Sequence, residues 1–317
     1  MSTPNRLNQT FSAQNIQRVI WIVLALLVLT LALFGGYYYW DRYIHLGDKS
    51  PLELDVETLE QAIRDNPQDP EARVALAEYY LDQGAPKKAL EQSTQVLKLY
   101  PDNQGAMLVS GIAAVRLQQP EAALSPLEQF VAARKDQPMA QTDTALETAY
   151  YFLGESYMKL ERPAEAIPAL EAALLINKTD ADALYQLGMA YQASQQPQAA
   201  LERYQQAVRL VPDFSEAYSG MIESYTALNQ PDYVAYARGM QAYTRQDFAT
   251  AQTHLEYASN ALPNFAPALL GLGLTYEKLG DLDKALATLE QAVALDQQDF
   301  AIQQALGRVQ AALDIGK

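Results

Sequence analysis

The sequence repeats itself with a period of 34 residues, and this repetition constrains the fold more than any other feature. Residues 181–214 and 266–299 align without a gap. The aligned positions carry the same residue types: Leu187-Gly188 with Leu272-Gly273, Tyr191 with Tyr276, Ala200 with Ala285, and Ala207 with Ala292. A chain built from such copies is predicted to fold as a row of similar units, each covering an apolar face of the next.

The residue types within each unit indicate two closely packed helices. Glycine at position 188 allows two helices to approach where a larger side chain would collide, and the spaced alanines make the matching contact. A proline after the second helix ends it and sets the turn. This pattern resembles the tetratricopeptide-repeat (TPR) family. The resemblance implies an all-α fold, a right-handed α-solenoid of helix-turn-helix repeats that binds other proteins.

The same register extends over about residues 52–314. The predicted TPR array, residues 70–299, divides into the units 70–103, 104–137, 147–180, 181–214, 215–231 (partial), 232–265 and 266–299. The partial unit resembles a first helix without a second helix of its own, and residues 136–146 are an insertion. Residues 52–69 resemble only a second helix and are predicted to cap the array as a half-repeat. Residues 300–317 are predicted to form a C-terminal capping helix.

An uncharged apolar stretch precedes the repeats, at residues 19–40. As a helix it would be about 33 Å long, which matches the hydrocarbon core of a bilayer. Aromatic residues stand at both ends, with Trp21 at one and Tyr37 to Trp40 at the other, as expected at membrane interfaces. These features predict a single transmembrane signal-anchor helix, after a short leader (residues 1–18) and before a linker (residues 41–51).

Two other interpretations of residues 19–40 are a buried core helix and a cleaved signal peptide. No TPR core needs so long an uninterrupted apolar run, and a signal peptide has a shorter one with small residues at its cleavage site. Lysine and arginine are balanced across the stretch, with Arg6 and Arg18 before it and Arg42 and Lys49 after it. The short leader without acidic residues favours a cytoplasmic N-terminus. We therefore expect a bacterial inner (plasma) membrane protein with its TPR domain outside the cytoplasm.

Charge and composition argue against several functional classes. The chain has a net charge of −15 and no cysteine. An acidic domain repels phosphate backbones, so no nucleic-acid partner is expected. His45 and His254 are isolated in the sequence, and no phosphate-binding loop is present. We expect no metal, no cofactor, no small-molecule substrate and no catalytic residue, hence no enzyme, because no sizeable domain remains outside the repeats.

The resemblance also implies a binding surface, since first helices of TPR units line a concave groove. The positions that face this groove are occupied by tyrosine and methionine, at Tyr151, Met158, Tyr185, Met189, Tyr233, Tyr236, Met240 and Tyr243. Tyrosine offers contact area at low entropic cost and methionine adapts to varied shapes. A protein or peptide with an apolar or basic segment is the expected partner. The alternative is that these rings pack between adjacent repeats.

The predicted function is a membrane-anchored scaffold that holds partner proteins, for assembly or maturation of a membrane or envelope complex. The alternative is a permanent accessory subunit of a large membrane complex, held through its transmembrane helix. Small residues in the apolar stretch, such as Gly35-Gly36, would allow the close helix contacts that this alternative requires.

Overall fold

The structure is a computed structural model that describes residues 13–39 and 56–315. This part of the chain contains helices and no strands, which confirms the all-α prediction. The helices are α1 (Ala13–Tyr39), α2 (Val56–Asp65), α3 (Pro70–Asp82), α4 (Pro86–Leu99), α5 (Gln104–Arg116), α6 (Pro120–Arg134), α7 (Thr144–Lys159), α8 (Pro163–Ile176), α9 (Ala181–Ala193), α10 (Pro197–Leu210), α11 (Ser215–Ala227), α12 (Pro231–Thr244), α13 (Phe248–Ala261), α14 (Ala266–Leu279), α15 (Leu282–Leu295) and α16 (Phe300–Ile315).

One turn geometry joins the first helix of each unit to the second. We number positions 1–34 from the first residue of each unit; position 15 then always has a left-handed backbone, with φ between 55° and 81°. Glycine occupies it at Gly84 and Gly280, and the other residues there are Gln118, Glu161, Gln195, Asn229 and Gln246. A proline near the start of the second helix follows in most units, for example Pro197, because that position needs no N–H donor.

Close packing inside each unit rests on a small residue at position 8 and a large one at position 24. A Cβ atom added to Gly154 would lie 2.4 Å from Cγ of Leu170, so only glycine fits. The same relation holds for Gly111 with Leu127, Gly188 with Tyr204, Gly239 with Leu255 and Gly273 with Leu289. The first unit replaces the pair with Ala77 and Ser93, both fully buried. A larger residue at position 8 is thus matched by a smaller one at position 24.

A second recurring contact joins consecutive units. Tyrosine at position 11 donates its hydroxyl proton to a glutamate at position 25 of the preceding unit. The pairs are Tyr80 with Glu60 (3.5 Å), Tyr157 with Glu128 (2.7 Å), Tyr191 with Glu171 (2.5 Å) and Tyr276 with Glu256 (2.8 Å). Burial and then the bond to Glu128 raise the pKa of Tyr157 to about 12, so its proton stays in place at neutral pH. Helix α2 takes part through Glu60 and therefore packs as a second helix.

Helix α12 has two roles, and this departs from a simple row of helix pairs. It follows α11 through the standard turn at Asn229 (φ 55°), so it occupies the place of a second helix. It also pairs with α13 through Gly239 and Leu255, as a first helix does. Most of its surface is consequently covered: seven of its residues are buried, namely Val234, Ala235, Tyr236, Ala237, Gly239, Met240 and Ala242.

The insertion between α6 and α7 is held by one ion pair. It contains a short 3-10 helix (Ala140–Thr142), and α7 begins at Thr144, three residues before the predicted unit boundary. Arg134 Nε donates to Asp143 Oδ2 over 2.6 Å, and Asp143 also caps α7 by accepting from the N–H of Ala145. Burial opposes ionisation of Asp143, but its hydrogen bonds, above all that from Arg134, outweigh this and lower its pKa.

Helix α1 is 27 residues long, and the apolar side chains described on it are exposed. Trp21 is 66% and Val28 63% exposed. In the part of the chain for which placement is described, no helix qualifies as a span long and apolar enough to cross a membrane. Several α1 side chains lie outside that part, as do Trp40 and the predicted linker.

Candidate partner-binding surface

Four of the predicted groove residues lie on two adjacent first helices and remain partly exposed. Tyr151 and Met158 are on α7, and Tyr185 and Met189 are on α9. Helix α7 packs beside α9, and α9 beside α11, so the three first helices form one continuous layer. We call the side of α7, α9 and α11 that carries these four residues the first-helix surface.

Packing behind this surface fixes the position of Tyr185. Its ring centroid lies 5.8 Å from that of the buried Tyr204 and 5.0 Å from that of Phe214. The Tyr204 hydroxyl donates to Gln192 Oε1 over 2.9 Å, and Gln192 Nε2 in turn donates to Glu223. The contact therefore links α9, α10 and α11, and it presents Tyr185 on a supported backbone rather than on a loop.

Carboxylates surround the two tyrosines. Burial and then the charges of Glu155, Asp182 and Asp180 raise the pKa of Tyr151 to about 12. Burial, followed by Glu216 and Glu223 of α11, raises the pKa of Tyr185. Glu155 is paired with Lys159 over 3.1 Å. Within residues 56–315, Asp182 and Glu216 form no ion pair, so the surface has uncompensated negative charge around apolar rings.

A further acidic pair lies where α7 and α9 begin. Asp180 caps α9 by accepting from the N–H of Ala183 over 3.0 Å. Burial and then its hydrogen bond and repulsion with Asp180 raise the pKa of Glu147 to about 7. Glu147 therefore keeps its proton over part of the neutral range, because burial and a neighbouring carboxylate both disfavour its charged form.

The second group of predicted residues, on α12, is mostly unavailable to a partner. Tyr236 is 6% exposed, with its ring edge-on to Phe265 at 5.0 Å. Met240 is 7% exposed, and its sulfur lies against Gly271. The prediction that these two line an open groove is wrong in this structure, because α12 is covered by α11, α13 and α14.

The other two α12 residues, Tyr233 and Tyr243, are partly exposed, but each packs against another aromatic ring. Tyr233 stacks on Tyr225 at 5.2 Å, and Tyr243 meets Phe248 edge-on at 5.6 Å. The structure therefore places Tyr151, Met158, Tyr185 and Met189 on adjacent first helices, and Tyr185 and Met189 pack against the same hydrophobic cluster as Tyr233 and Tyr243. Sequence reasoning missed Glu216 and Glu223, although they occupy positions 2 and 9 of the partial unit and reading its groove positions would have found them.

Two clefts occur elsewhere on the solenoid. One, of about 460 Å³, lies between α4 and α6 above Met107 and Ser110 of α5. The other, of about 440 Å³, lies beside α12 and α13 and includes His254 and Tyr257. In the described residues, no group of three histidine or carboxylate side chains is arranged to hold a metal ion. The second histidine, His45, lies outside the described residues.

The fold and surface define a helical-repeat protein with features of a protein-binding module. Sequence models described as tetratricopeptide repeat match residues 52–104, 145–213 and 242–309, together more than half of the chain. The chain belongs to the tetratricopeptide-repeat family.

Individual relatives are distant. BBSome complex member BBS4 of Bos taurus is 24% identical over 220 residues, which is 68% of this chain and 40% of that protein. The chain thus spans less than half the length of this curated relative. A double mutant of MamA RS-1 has a TM-score of 0.50 and 20% identity, covering 56% of this chain and 95% of its own. YrrB, described as a TPR protein with an unusual peptide-binding site, has a TM-score of 0.45 and 18% identity. The match covers 79% of this chain and 98% of YrrB.

Proposed function

We propose that this protein is a membrane-anchored scaffold that binds a segment of a partner protein on the first-helix surface. The observation that carries the proposal is the placement of Tyr151, Met158, Tyr185 and Met189 on adjacent helices, partly exposed and on one layer. TPR proteins bind protein or peptide partners, so the family supports this class of function. Assembly or maturation of a membrane or envelope complex is the process in which we place it.

The chemistry of the surface favours a partner segment that combines apolar and basic side chains. Tyrosine rings supply contact area and also attract cations on their faces. Asp182, Glu216 and Glu223 are exposed and acidic, so they complement lysine or arginine on the partner. Charge pairs at exposed sites are screened by salt, and binding is therefore expected to weaken as ionic strength rises.

A photo-reactive amino acid at Tyr185 tests the surface directly in cells. We expect it to capture a defined protein, with the crosslinked peptide carrying basic residues, whereas the same group at the exposed Arg209 of α10 captures none. Neutralising Glu216 and Glu223 together (E216Q, E223Q) should reduce the capture several-fold, because two attractive charges are lost. The matched control neutralises Glu202 and Glu290, which are exposed on second helices.

The alternatives predict different results in this experiment. If both sites capture the same membrane subunits, the chain is better described as a fixed accessory subunit. If E216Q/E223Q and the control pair behave alike, the acidic first-helix surface does not select the partner.

The anchor part of the proposal rests on residues 19–40 and on the exposed apolar side chains of α1. Burying a large apolar side chain contributes about 1.5–3 kcal/mol of favourable free energy relative to leaving it in water. Helix α1 exposes several such side chains in succession. A bilayer is the environment that would cover them. We place the N-terminus in the cytoplasm and the solenoid on the other side of a bacterial inner membrane.

Two lysines in α1 are expected to release the protein from the membrane fraction. Each charge near the centre of a spanning helix costs about 2.5–3.5 kcal/mol, so L24K/L27K should shift most of the protein to the soluble or aggregated fraction. The control L99K/L175K adds the same charges to exposed leucines of the solenoid, which are 53% and 68% exposed, and should stay with the membrane. Release of the unmodified protein by carbonate would contradict the anchor.

A further inference from the structure

The two clefts described above occupy the same place in their repeat units. Each is lined by the residues at positions 4, 7, 23 and 26, which are Met107, Ser110, Pro126 and Gln129 in one unit and Ala235, Arg238, His254 and Tyr257 in the other. The other four complete units carry leucine at position 7, and those leucines are at most 5% exposed: Leu76, Leu153, Leu187 and Leu272. Both clefts thus lie where the leucine of position 7 is replaced.

Arg238 distinguishes the cleft beside α12 and α13, which we call the α12 cleft, from the other one. A charged side chain stands here in place of a buried leucine, and it is exposed. Within residues 56–315, Arg238 forms no ion pair. A guanidinium group offers five N–H donors in a plane and binds a carboxylate or phosphate through two parallel hydrogen bonds. The α12 cleft therefore has the chemistry of an anion site.

The rest of the α12 cleft adds polar groups above an apolar floor. Asn229, in the left-handed turn between α11 and α12, contributes a side-chain amide, and His254 of α13 contributes an imidazole ring. The floor consists of Val234 and Ala235, which are 8% and 9% exposed. The cleft has a volume of about 440 Å³, which accommodates a few side chains of a bound segment. Such a lining suits an anionic group with apolar neighbours.

The surrounding charges favour an anion with a single negative charge. The chain has a net charge of −15, so its field repels a phosphate dianion more strongly than a carboxylate. Asp232 adds a negative charge beside the cleft, where it accepts a hydrogen bond from the hydroxyl of Tyr257 over 3.1 Å. One arginine next to this aspartate complements one carboxylate and no more.

We propose that the α12 cleft binds the carboxylate of an aspartate or glutamate within a segment of a partner protein. Arg238 pairs with the carboxylate, and apolar neighbours of the acidic residue lie on Val234 and Ala235. Exposed residues stand on both sides of the cleft, with Thr226 on α11 and Tyr257 on α13, so that a chain can enter on one side and leave on the other. This openness favours an acidic side chain over a chain terminus.

The site differs from the first-helix surface in position and in charge preference. Arg238 is two residues from both Tyr236 and Met240, which places it about 160° around α12 from them. The cleft and the predicted groove positions of α12 therefore lie on opposite sides of this helix. The first-helix surface is acidic and suits a basic segment, whereas the α12 cleft suits an acidic one. The inference does not rest on the proposed function.

Selection of random peptides displayed on phage tests the site without a known partner. The full-length protein in mild detergent is the target, and the Arg238→Leu protein removes peptides that bind elsewhere. Leucine occupies position 7 in four other units, so this variant is expected to keep its helical circular dichroism. We expect the remaining peptides to share an internal aspartate or glutamate beside an apolar residue. The proposal is wrong if no peptide distinguishes the two proteins, or if the shared motif has no acidic residue.

A double-mutant cycle on one selected peptide tests the ion pair. Arg238→Leu in the protein and amidation of the acidic side chain in the peptide should each weaken binding about tenfold or more, because a charge-assisted pair is lost. The two changes together should cost no more than either alone. The control Arg209→Leu removes the same charge from an exposed residue of α10, and screening limits its effect to less than about twofold. Additive effects, or equal effects of the two arginine variants, would contradict the pair.

Two further measurements separate this site from its alternatives. Phosphoserine in place of the acidic residue of the peptide should bind more weakly, and tighter binding would assign the cleft to phosphopeptides instead. The E216Q/E223Q protein should bind the peptide as the unmodified protein does, because those two carboxylates belong to the first-helix surface. A changed affinity would place the peptide on that surface and overturn the proposal. Capture from Tyr185 can succeed or fail independently of these results.

Discussion

Replacing Gly220 by alanine is expected to lower the free energy of unfolding by about 3 kcal/mol, at the upper end of overpacking effects. Gly220 of α11 faces the ring of Tyr204, and an added Cβ atom would lie 2.3 Å from Cζ. The ring cannot move away, because Gly188 of α9 faces Tyr204 too and its Cβ position is 2.6 Å from Cε1. Urea denaturation followed by helical circular dichroism measures the loss.

A compensating substitution shows whether the ring is the cause. Two other units have leucine at position 24, namely Leu127 and Leu170. In the units that follow them, the residues equivalent to Gly220 are Phe152 and Gln186, so leucine at position 24 is compatible with a side chain at that place. Tyr204→Leu should therefore relieve Gly220→Ala, so that the double variant loses less stability than the sum of the single variants by about 1–2 kcal/mol.

The matched control for Gly220→Ala is Gly307→Ala. Its added methyl group meets nothing, and alanine has the higher helix propensity, so stability should rise by up to about 1 kcal/mol. Equal effects of Gly220→Ala and Gly307→Ala would contradict the packing argument. Strictly additive effects of Gly220→Ala and Tyr204→Leu would do the same.

The architecture could be predicted from the sequence because the close helix contact that defines each unit lies within that unit. The glycine at position 8 and the large residue at position 24 lie 16 residues apart, as in Gly188 and Tyr204, so one unit contains both. The contact of Gly220 with Tyr204 crosses a unit boundary and occupies position 6, where most units have no glycine. Such a contact depends on how neighbouring units pack and is not visible within a single repeat.

The candidate surface was predictable only where the units are regular. On α7 and α9, the positions expected to face the groove are occupied by Tyr151, Met158, Tyr185 and Met189. All four are partly exposed in the structure. For α12 the same positions gave Tyr236 and Met240, which are buried. The rule assumes that a first helix has an open face, whereas α12 is also the second helix after α11 and has neighbours on most sides.

Substitutions at Tyr236 distinguish a core role from a binding role. Tyr236→Ala is expected to lower the free energy of unfolding by about 3–5 kcal/mol, because it removes a buried ring that packs against Phe265. Tyr236→Phe keeps the ring and its contact with Phe265, so it should change stability by no more than about 1 kcal/mol. Urea denaturation measures both, and crosslinking from Tyr185 measures partner capture.

The surface residue Tyr257 provides the control for the loss of stability expected of Tyr236→Ala. It is 56% exposed and donates a hydrogen bond to Asp232 over 3.1 Å, so Tyr257→Ala should cost no more than about 1 kcal/mol.

Partner capture from Tyr185 should be the same in Tyr236→Phe as in the unmodified protein, since α7, α9 and α11 stay in place. If Tyr236→Ala instead keeps full stability and loses partner capture, Tyr236 must be accessible, and the binding surface then extends onto α12.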